Sequence, residues 1–241
     1  MKEYLSHHNW KIVEEGFHPE FNEITESIFS LGNGRMGQRG NFEEKFTGKS
    51  LQGNYIAGVY YPDKTRVGWW KNGYPEYFAK VLNATNWIGL NIKIDNIEID
   101  INQLSVINFY RELDMQHGLL NRNMVVELPG GKQIEIKSTR LNNIVWDESG
   151  ALKYSIKALN FSGKLEIEAY LDGDIKNRDS NYDEKFWDPI KSFGENNESF
   201  VWLKTKKTGF EVLTAQSLKI FRDGDLLNLN SKAVVQSKYT G

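Results

Sequence analysis

The sequence predicts an all-β fold, a large antiparallel β-sandwich in which two sheets pack face to face. From about residue 81 onward, apolar and polar residues alternate with a period of two, which is typical of half-buried strands. Short turn sequences separate the alternating segments, as in antiparallel hairpins. No segment has the period of a long amphipathic helix. Because a half-buried sheet must cover its apolar face, a second sheet is expected.

The clearest predicted strand lies in residues 132–137. Ile134 and Ile136 share one face of it, and the polar residues around them share the other. The turn Pro129-Gly130-Gly131 joins this strand to another in residues 124–128. Three further pairs of alternating segments are predicted to form hairpins: 91–95 with 97–101, 152–158 with 164–171, and 200–204 with 210–214.

Three segments depart from this pattern, and the C-terminal residues return to it. Residues 24–29 and 77–82 could each form one or two helical turns. Residues 172–198 are polar and rich in turn residues, and we interpret them as a long surface excursion within the domain. Residues 232–241 have the pattern of one more strand, with no recognisable end of the fold after it. The chain is therefore expected to be a fragment of a longer protein.

Composition argues against several classes of function. The formal net charge is −2 and no basic block could neutralise a run of phosphates, so nucleic acid is not an expected partner. The chain has no cysteine, which excludes disulfides, thiolate zinc sites and cysteine nucleophiles. The N-terminus lacks the apolar core of a signal peptide, and no apolar stretch is long enough to span a membrane. We expect a cytoplasmic protein with no membrane partner.

A glycine-rich stretch contains the spacing G-x-G-x-x-G at Gly32, Gly34 and Gly37. A dinucleotide-binding loop with this spacing opens a helix at its third glycine and is followed by an acidic residue about 20 positions later. Neither feature is present, and no βαβ alternation follows. We therefore interpret residues 32–34 as a tight turn that joins residues 27–31 to an extended segment through Asn41.

The titratable residues do not form a recognisable catalytic or metal-binding motif. None of the four histidines pairs at the spacing of metal ligands, so no metal site is predicted. His7 and His8 are expected to belong to a solvated strand. Adjacent carboxylates on an extended chain point to opposite faces, so the pairs in the sequence are expected to lie on the solvated surface. These pairs are Glu43-Glu44, Asp147-Glu148 and Asp183-Glu184. No catalytic residue is predicted.

The aromatic segment of residues 67–78 has the most unusual composition in the chain. Tryptophan and tyrosine rings stack on the apolar faces of sugars, and amide, carboxylate and ammonium groups bind sugar hydroxyls. The candidate substrate- or interface-facing residues are Trp69, Trp70, Lys71, Tyr74 and Glu76. The alternative is that the aromatic side chains of this segment fill a core, or bury an interface between domains or subunits. Both interpretations remain open at this point.

Four stretches of the sequence resemble the N-terminal region of glycoside hydrolase family 65, in the same order and spacing. They are ESIFSLGNGRMGQRGNFEE at residues 26–44, SLQGNYIAGVY at 50–60, GWWKNGYPEYFAKVLNATNW at 68–87 and NFYRELDMQHG at 108–118. The resemblance covers most of residues 9–145 and is weaker toward the C-terminal third. Members of this family are inverting phosphorylases of α-linked glucose disaccharides, and the nearest resemblance is to those that act on maltose.

The resemblance implies a β-sandwich of the supersandwich type, similar to galactose mutarotase. In the family this domain precedes a helical linker and an (α/α)6 barrel, which holds the general-acid glutamate and the phosphate site. Residues 1–241 would then be the N-terminal β-sandwich domain alone, non-catalytic and without a cofactor, since inorganic phosphate is a co-substrate of the full enzyme. The implied partners are its own barrel, a second subunit in a homodimer and the disaccharide.

Two other functions are compatible with the sequence. One is a stand-alone β-sandwich module that binds carbohydrate or another protein. The other is a mutarotase-like epimerase on the same sandwich, which typically needs a histidine acid and a carboxylate base. The four histidines have no carboxylate at matching positions, which disfavours the epimerase.

Overall fold

The computed structural model describes residues 4–66, 73–195 and 197–227, which form two compact units. Unit 1 comprises Met1–Gly53 and Leu90–Glu168, and unit 2 comprises Asn54–Gly89 and Ala169–Gly241. The strands are β1 (Leu5–His8), β2 (Lys11–Glu15), β3 (Leu31–Gly32), β4 (Met36–Gln38), β5 (Asn54–Ile56), β6 (Tyr60–Lys64), β7 (Tyr77–Val81), β8 (Asn86–Ile94), β9 (Ile97–Glu98), β10 (Ser105–Asp114), β11 (Leu119–Leu128), β12 (Lys132–Asn142), β13 (Gly150–Ala158), β14 (Leu165–Asp172), β15 (Trp187–Glu195), β16 (Glu198–Thr205), β17 (Glu211–Ser217), β18 (Phe221–Arg222) and β19 (Asp225–Leu226).

Unit 1 is built on a six-stranded antiparallel sheet in the order β1-β2-β10-β11-β12-β13. The predicted alternation is confirmed, because Ile134 and Ile136 of β12 are buried and pair across to Val126 and Met124 of β11, which are buried too. The predicted turn between these strands is also confirmed, and Gly130 takes the positive φ of 84° that it requires. His7 and His8 lie in the edge strand β1, as expected.

A single α-helix among the described residues, α1 (Asn22–Ile28), precedes the glycine-rich stretch. Helical turns were expected at 24–29, and α1 confirms them, but it contradicts the interpretation of 27–31 as a strand. The strand before the turn is only β3, which pairs with β4. The turn itself is confirmed: Gly34 has a φ of 91°, and Asn33 Oδ1 accepts hydrogen bonds from the backbone N–H groups of Arg35 and Met36.

Strand β14 is an exception to the rule that consecutive strands form hairpins. The hairpin predicted between 152–158 and 164–171 is wrong, because β13 pairs with β12 and β14 lies next to β8. Lys164 O accepts a hydrogen bond from Asp95 N at 2.9 Å, and Glu168 accepts one from Asn91. β13 therefore ends the six-stranded sheet with β12 as its neighbour, and these hydrogen bonds join β14 to the sheet that contains β8. The predicted hairpin of β8 with β9 is confirmed.

Unit 2 contains the hairpin β6–β7, the sheet β15-β16-β17 and the short hairpin β18–β19. The predicted pairing of β16 with β17 is confirmed, but the helical turns expected at 77–82 are wrong, because these residues form β7. The core of the unit is a cluster of buried side chains with partly buried aliphatic residues around it. The buried members are Tyr61, Leu82, Ala84, Ile175, Phe186, Trp187 and Leu203.

The segment 172–198 is not the surface excursion that its polar composition predicts. Its second half forms β15, and Ile175, Phe186 and Trp187 belong to the core of unit 2. The Trp187 indole N–H also donates a hydrogen bond to Asn83 O at 2.8 Å. A few large apolar side chains are enough to anchor a polar segment, because each aromatic ring buries a large area. Residues 232–241, where one more strand was predicted, lie outside the described residues.

Candidate functional site

A row of polar side chains crosses the buried face of the six-stranded sheet. Neighbouring strands place Glu14, Arg111, Arg122, Ser138 and Tyr154 opposite one another, in that order, from β2 to β13. The four residues from Glu14 to Ser138 are buried. Cross-strand partners point to the same face, so the strand register alone brings these groups together. Without carboxylates from elsewhere, two adjacent buried arginines would repel each other.

Those carboxylates come from residues 40–44, which we call the covering segment. Arg111 Nη1 donates a hydrogen bond to Gly40 O at 3.0 Å, and Arg140 Nη2 donates one to Asn41 O at 2.5 Å. The Phe42 ring lies 5.6 Å from the guanidinium of Arg111 and 5.1 Å from that of Arg122, within the range of cation–π contacts. The end of the glycine-rich stretch therefore lies across the polar row.

The ion pairs under the covering segment are short. Arg122 Nη2 donates to Glu43 Oε2 at 2.5 Å and to both carboxylate oxygens of Glu44 at 2.7 Å. Arg140 Nε lies 2.9 Å from Glu43 Oε1, and the Tyr154 hydroxyl donates to Glu44. The expectation that Glu43-Glu44 lies on the solvated surface is therefore wrong. Both side chains reach the same guanidinium because the segment that carries them is not a regular strand.

A second ion pair completes this group, which we call the arginine–glutamate network. Arg111 binds Glu14 through Nη2 at 2.6 Å and through Nε at 2.9 Å, both to Oε2. Its guanidinium also lies 4.7 Å from the centre of the Phe29 ring. The members of the network are Glu14, Glu43, Glu44, Arg111, Arg122, Arg140 and Tyr154.

Burial and charge act in opposite directions on the carboxylates of the network. Burial raises the pKa of Glu14, and the nearby Arg111 only partly offsets the shift. Burial also raises the pKa of Glu43, but the charges of Arg140 and Arg122 outweigh it and hold that pKa below its usual value. The Tyr154 hydroxyl has a raised pKa because it is buried and lies beside Glu44. Glu43 is thus held in its ionised form and is not a proton donor.

The network encloses almost no free space. The small cavity lined by Gly40, Phe42, Arg111, Arg122 and Arg140 leaves no room for a water molecule. Arg140 Nη1 is buried and has no hydrogen-bond partner among the described residues. At least one donor of the network is therefore left unsatisfied. A general acid needs a hydrogen-bonded reacting group, and a phosphate site needs space for the anion. The hydrogen bonds and ion pairs of the network hold the covering segment on the sheet.

The sequence contains a signal for this network. The buried face of each central strand alternates with period two, and an arginine interrupts that face in β10, β11 and β12. The interrupting residues are Arg111, Arg122 and Arg140. Arginine on an otherwise apolar face requires buried carboxylate partners, although the sequence does not specify which carboxylates they are.

The aromatic segment lies partly outside the described residues, and this applies to Trp69, Trp70 and Lys71. Of the remaining candidates, Tyr74 is 55 % exposed, and its ring meets that of Phe78 edge to face at 6.5 Å. Glu76 is exposed and its carboxylate lies 4.0 Å from Lys64 Nζ. Thr65 anchors the loop through two hydrogen bonds, since its N–H donates to Glu76 O and its hydroxyl donates to Pro75 O. Tyr74 and Glu76 therefore share one exposed loop.

The other titratable candidates lie apart from one another. Glu148 and Asp183 are exposed, whereas Glu184 accepts a hydrogen bond from the Tyr61 hydroxyl at 2.6 Å. His117 Nδ1 lies 2.9 Å from Asp114 in the turn after β10. Among residues 4–66, 73–195 and 197–227, no three histidine or acidic side chains come together as a metal site. In the same residues, no helix is long and apolar enough to cross a membrane.

Comparison with known proteins identifies relatives over most of the chain. Residues 12–240 match the model for the N-terminal domain of glycosyl hydrolase family 65. The chain is 43 % identical to the maltose phosphorylase of Bacillus subtilis (strain 168) over 201 residues, which are 83 % of this chain and 26 % of that protein. It is 30 % identical over 222 residues to the α,α-trehalose phosphorylase of Thermoanaerobacter brockii, covering 86 % of this chain and 28 % of that protein.

A solved structure has the same fold. A putative kojibiose phosphorylase from the human microbiome superposes with a TM-score of 0.75 at 27 % identity, over 90 % of this chain and 31 % of that one. The predicted all-β, antiparallel β-sandwich fold is thereby confirmed. The chain spans about a quarter of the length of the curated relatives that it matches. This chain belongs to glycosyl hydrolase family 65, whose N-terminal domain it matches along nearly its whole length.

Proposed function

We propose that this chain is the non-catalytic N-terminal domain of an inverting α-glucoside phosphorylase that converts maltose and phosphate into β-glucose 1-phosphate and glucose. The observation that carries the proposal is the identity of 43 % to a maltose phosphorylase, against 30 % to a trehalose phosphorylase and 30 % to the kojibiose phosphorylase of Thermoanaerobacter brockii. The dry interior of the arginine–glutamate network supports the non-catalytic role, because it offers no space for sugar or phosphate.

In the proposed reaction, a glutamic acid outside this chain protonates the glycosidic oxygen. Inorganic phosphate attacks the anomeric carbon from the opposite face, the bond from that carbon to the glycosidic oxygen breaks, and the configuration inverts. Because phosphate is itself the nucleophile, one carboxyl group suffices, whereas hydrolytic inverting enzymes need a second one to activate water. No residue of this chain takes part in these steps, and no cofactor is required.

The proposed role of this domain is to support an (α/α)6 barrel and a homodimer in a cytoplasmic enzyme. The loop from Trp69 to Phe78 would reach the barrel or the partner subunit through Trp69, Trp70, Lys71, Tyr74 and Glu76. The exposure of Tyr74 and of Glu76 supports an external role for this loop. An exposed aromatic side chain beside polar groups is typical of interface and sugar-contact residues.

The substrate is tested by expressing the natural reading frame in full and incubating the enzyme with phosphate and each disaccharide. We expect maltose to give β-glucose 1-phosphate and glucose in equal amounts, identified by the anomeric coupling in NMR. Trehalose, kojibiose and nigerose should react far more slowly. A reading frame that ends at residue 241, or a full-length protein that cleaves none of these sugars, would contradict the proposal.

The role of the aromatic loop is tested in the same enzyme. Trp70→Ala combined with Tyr74→Ala should raise KM for maltose or weaken the dimer, as measured by light scattering. The matched control is Phe221→Ala, which removes an exposed aromatic ring of unit 2 from β18 and should change neither quantity. An unchanged KM, kcat and dimerisation in the double variant rules this role out.

A stand-alone carbohydrate-binding module is the second candidate, and the exposed Tyr74 beside Glu76 is the observation that favours it. Calorimetric titration of the isolated chain with maltose separates the two proposals. Binding that Tyr74→Ala abolishes supports the module. No heat at millimolar maltose supports the phosphorylase domain instead.

A further inference from the structure

The loop between β12 and β13 exposes three consecutive apolar side chains. Ile144 is 81 % exposed, Val145 86 % and Trp146 75 %. We call these three residues the apolar tip. Large apolar side chains that are exposed singly need no explanation, but a contiguous group on a protruding loop is typical of an interaction surface. Tryptophan is also among the residues that contribute most to protein interfaces.

The backbone of this loop is held by its own hydrogen bonds. Asn143 Oδ1 accepts hydrogen bonds from the N–H groups of Val145 at 2.9 Å and Trp146 at 3.1 Å. Ser149 donates through both its N–H and its hydroxyl to Trp146 O, at 2.9 and 2.8 Å. Asn143 N donates to Ser149 O at 2.9 Å. The loop is a closed turn and its tip is fixed in an exposed position.

The glycine-rich turn supports the same loop from outside. The Asn33 side-chain amide donates to Asn143 O at 2.6 Å and to Asp147 O at 2.9 Å. Arg35 lies 3.5 Å from the Asp147 carboxylate and neutralises it. The glycine-rich turn thus holds the apolar tip in place. Such preorganisation lowers the entropy lost when a surface binds its partner.

We infer that the apolar tip is a docking element for the polypeptide that follows residue 241 in a full-length phosphorylase, an inference that rests on the proposed function. The three side chains expose on the order of 400 Å². Stable complexes between separate proteins bury roughly 800 Å² on each partner, so the tip is too small to hold a second copy by itself. A covalently linked partner is present at an effective concentration of about millimolar, for which a small patch suffices.

The occupant is therefore an apolar pocket on the same polypeptide. The relatives are long enough to contain such a pocket outside the matched region, since residues matched by this chain make up only 26 % of the Bacillus subtilis protein. The pocket should accept an indole ring flanked by two aliphatic side chains. Because the Arg35–Asp147 pair is already neutral, the pocket needs no opposing charge for Asp147.

The test places a photoreactive benzoylphenylalanine at position 145 of the full-length enzyme. Isotopically labelled and unlabelled copies are mixed before irradiation, so that mass spectrometry distinguishes cross-links within a chain from those between chains. The control is the same group at position 107, where Ile107 is 53 % exposed on β10. We expect position 145 to cross-link to residues beyond 241 of its own chain and position 107 to give no such product. Cross-links only between chains, or none, overturn the inference.

A substitution gives an independent readout in the same enzyme. Trp146→Ser with Ile144→Ser should lower the thermal midpoint, because a buried contact is lost, while Ile107→Ser leaves it unchanged. An unchanged midpoint in the double variant shows that the tip is solvated and overturns the inference. Maltose phosphorolysis by the unmodified enzyme is assayed in parallel. An inactive enzyme with the expected cross-link contradicts the proposed function alone, and an active enzyme without it contradicts only the docking.

Discussion

The two units of the chain stabilise their interiors in different ways. In unit 1, charged groups lie at the centre: three arginines on the buried face of the sheet are balanced by glutamates, two of them from the covering segment. In unit 2, the core cluster is aromatic and aliphatic, with Tyr61 stacked on Phe186 at 4.1 Å. An apolar core tolerates many combinations of similar volume, whereas a buried ion network requires each partner in its place.

This difference explains why the most recognisable motif of the chain lies in unit 1. The covering segment must provide a residue without Cβ at Gly40, an amide at Asn41 that accepts a hydrogen bond from Gly53 N, a ring at Phe42 and two adjacent carboxylates, in that order. Each position has a distinct partner, so substitutions are restricted residue by residue. The comparison predicts that unit 1 is sensitive to loss of charge and to pH, and that unit 2 is sensitive to loss of volume.

The largest effect is expected for Arg122→Ala. The substitution leaves Glu43 and Glu44 buried without their shared cation, and should lower the free energy of unfolding by about 3 to 5 kcal/mol in urea titrations. The matched control is Arg35→Ala, because the Arg35–Asp147 pair is exposed and should contribute less than about 1 kcal/mol. If the alanine variant does not fold, Arg122→Lys should still show an intermediate loss. Equal stability of Arg122→Ala and wild type contradicts a balancing role for Arg122.

Phe186→Ala tests the apolar core of unit 2. Removal of a fully buried ring should cost about 3 to 4 kcal/mol. The loss should be the same at pH 5 and pH 8, because burial raises the pKa of Tyr61, which stacks on this ring, and the phenol stays protonated across that range. Phe193→Ala removes a ring on β15 that is 41 % exposed and stacks on Phe200, and the smaller loss expected for it serves as the comparison. A loss for Phe186→Ala that varies with pH would show that the two units do not differ as described.

Glu43→Gln tests the pH response of unit 1. At pH 7 the variant should lose about 3 kcal/mol, because Arg140 loses its carboxylate. The pKa of Glu43 is lowered in the folded protein, so its contribution is complete above its usual pKa of 4.5 and is lost as the pH falls through the folded pKa. The difference between wild type and variant should therefore shrink below about pH 4.5 in urea titrations at several pH values.

Glu14→Gln is the control for the direction of this pH dependence. The pKa of Glu14 is raised in the folded protein, so the advantage of wild type over this variant should decrease as the pH rises. Parallel pH profiles for the two variants would contradict the opposite environments assigned to the two carboxylates.

The smallest effect is expected for Gly40→Ala. A Cβ at this position would lie 2.8 Å from Phe29 Cβ and 3.0 Å from Phe29 O, so the covering segment or α1 must shift. We expect a loss of about 2 kcal/mol in thermal or urea unfolding. The control is Gly32→Ala, where the nearest atom would be Met36 O at 3.6 Å, and it should stay within about 0.5 kcal/mol of wild type. A neutral Gly40→Ala would show that the covering segment is not tightly seated.

The sequence predicted those parts of the fold that depend on local pattern. Period-two alternation identified β11, β12, β16 and β17, and the glycines of the turns at 34 and 130 were assigned correctly. The segments whose structure was predicted wrongly share a cause. Residues 77–82, 164–171 and 172–198 were assigned from local composition, but their structure depends on distant partners: β6 for the first, β8 for the second and the core of unit 2 for the third.

The sequence by itself therefore determined the all-β class, the strand faces and the family, because alternation, turn residues and motif order are local properties of the chain. Only the tertiary structure decided that Glu43 and Glu44 are buried and that the Asn33 turn supports the apolar tip. The two carboxylates are adjacent in the chain, but their cations lie 78 to 97 residues further on. No local pattern specifies such pairings, since they depend on the register of strands that meet only in the folded sheet.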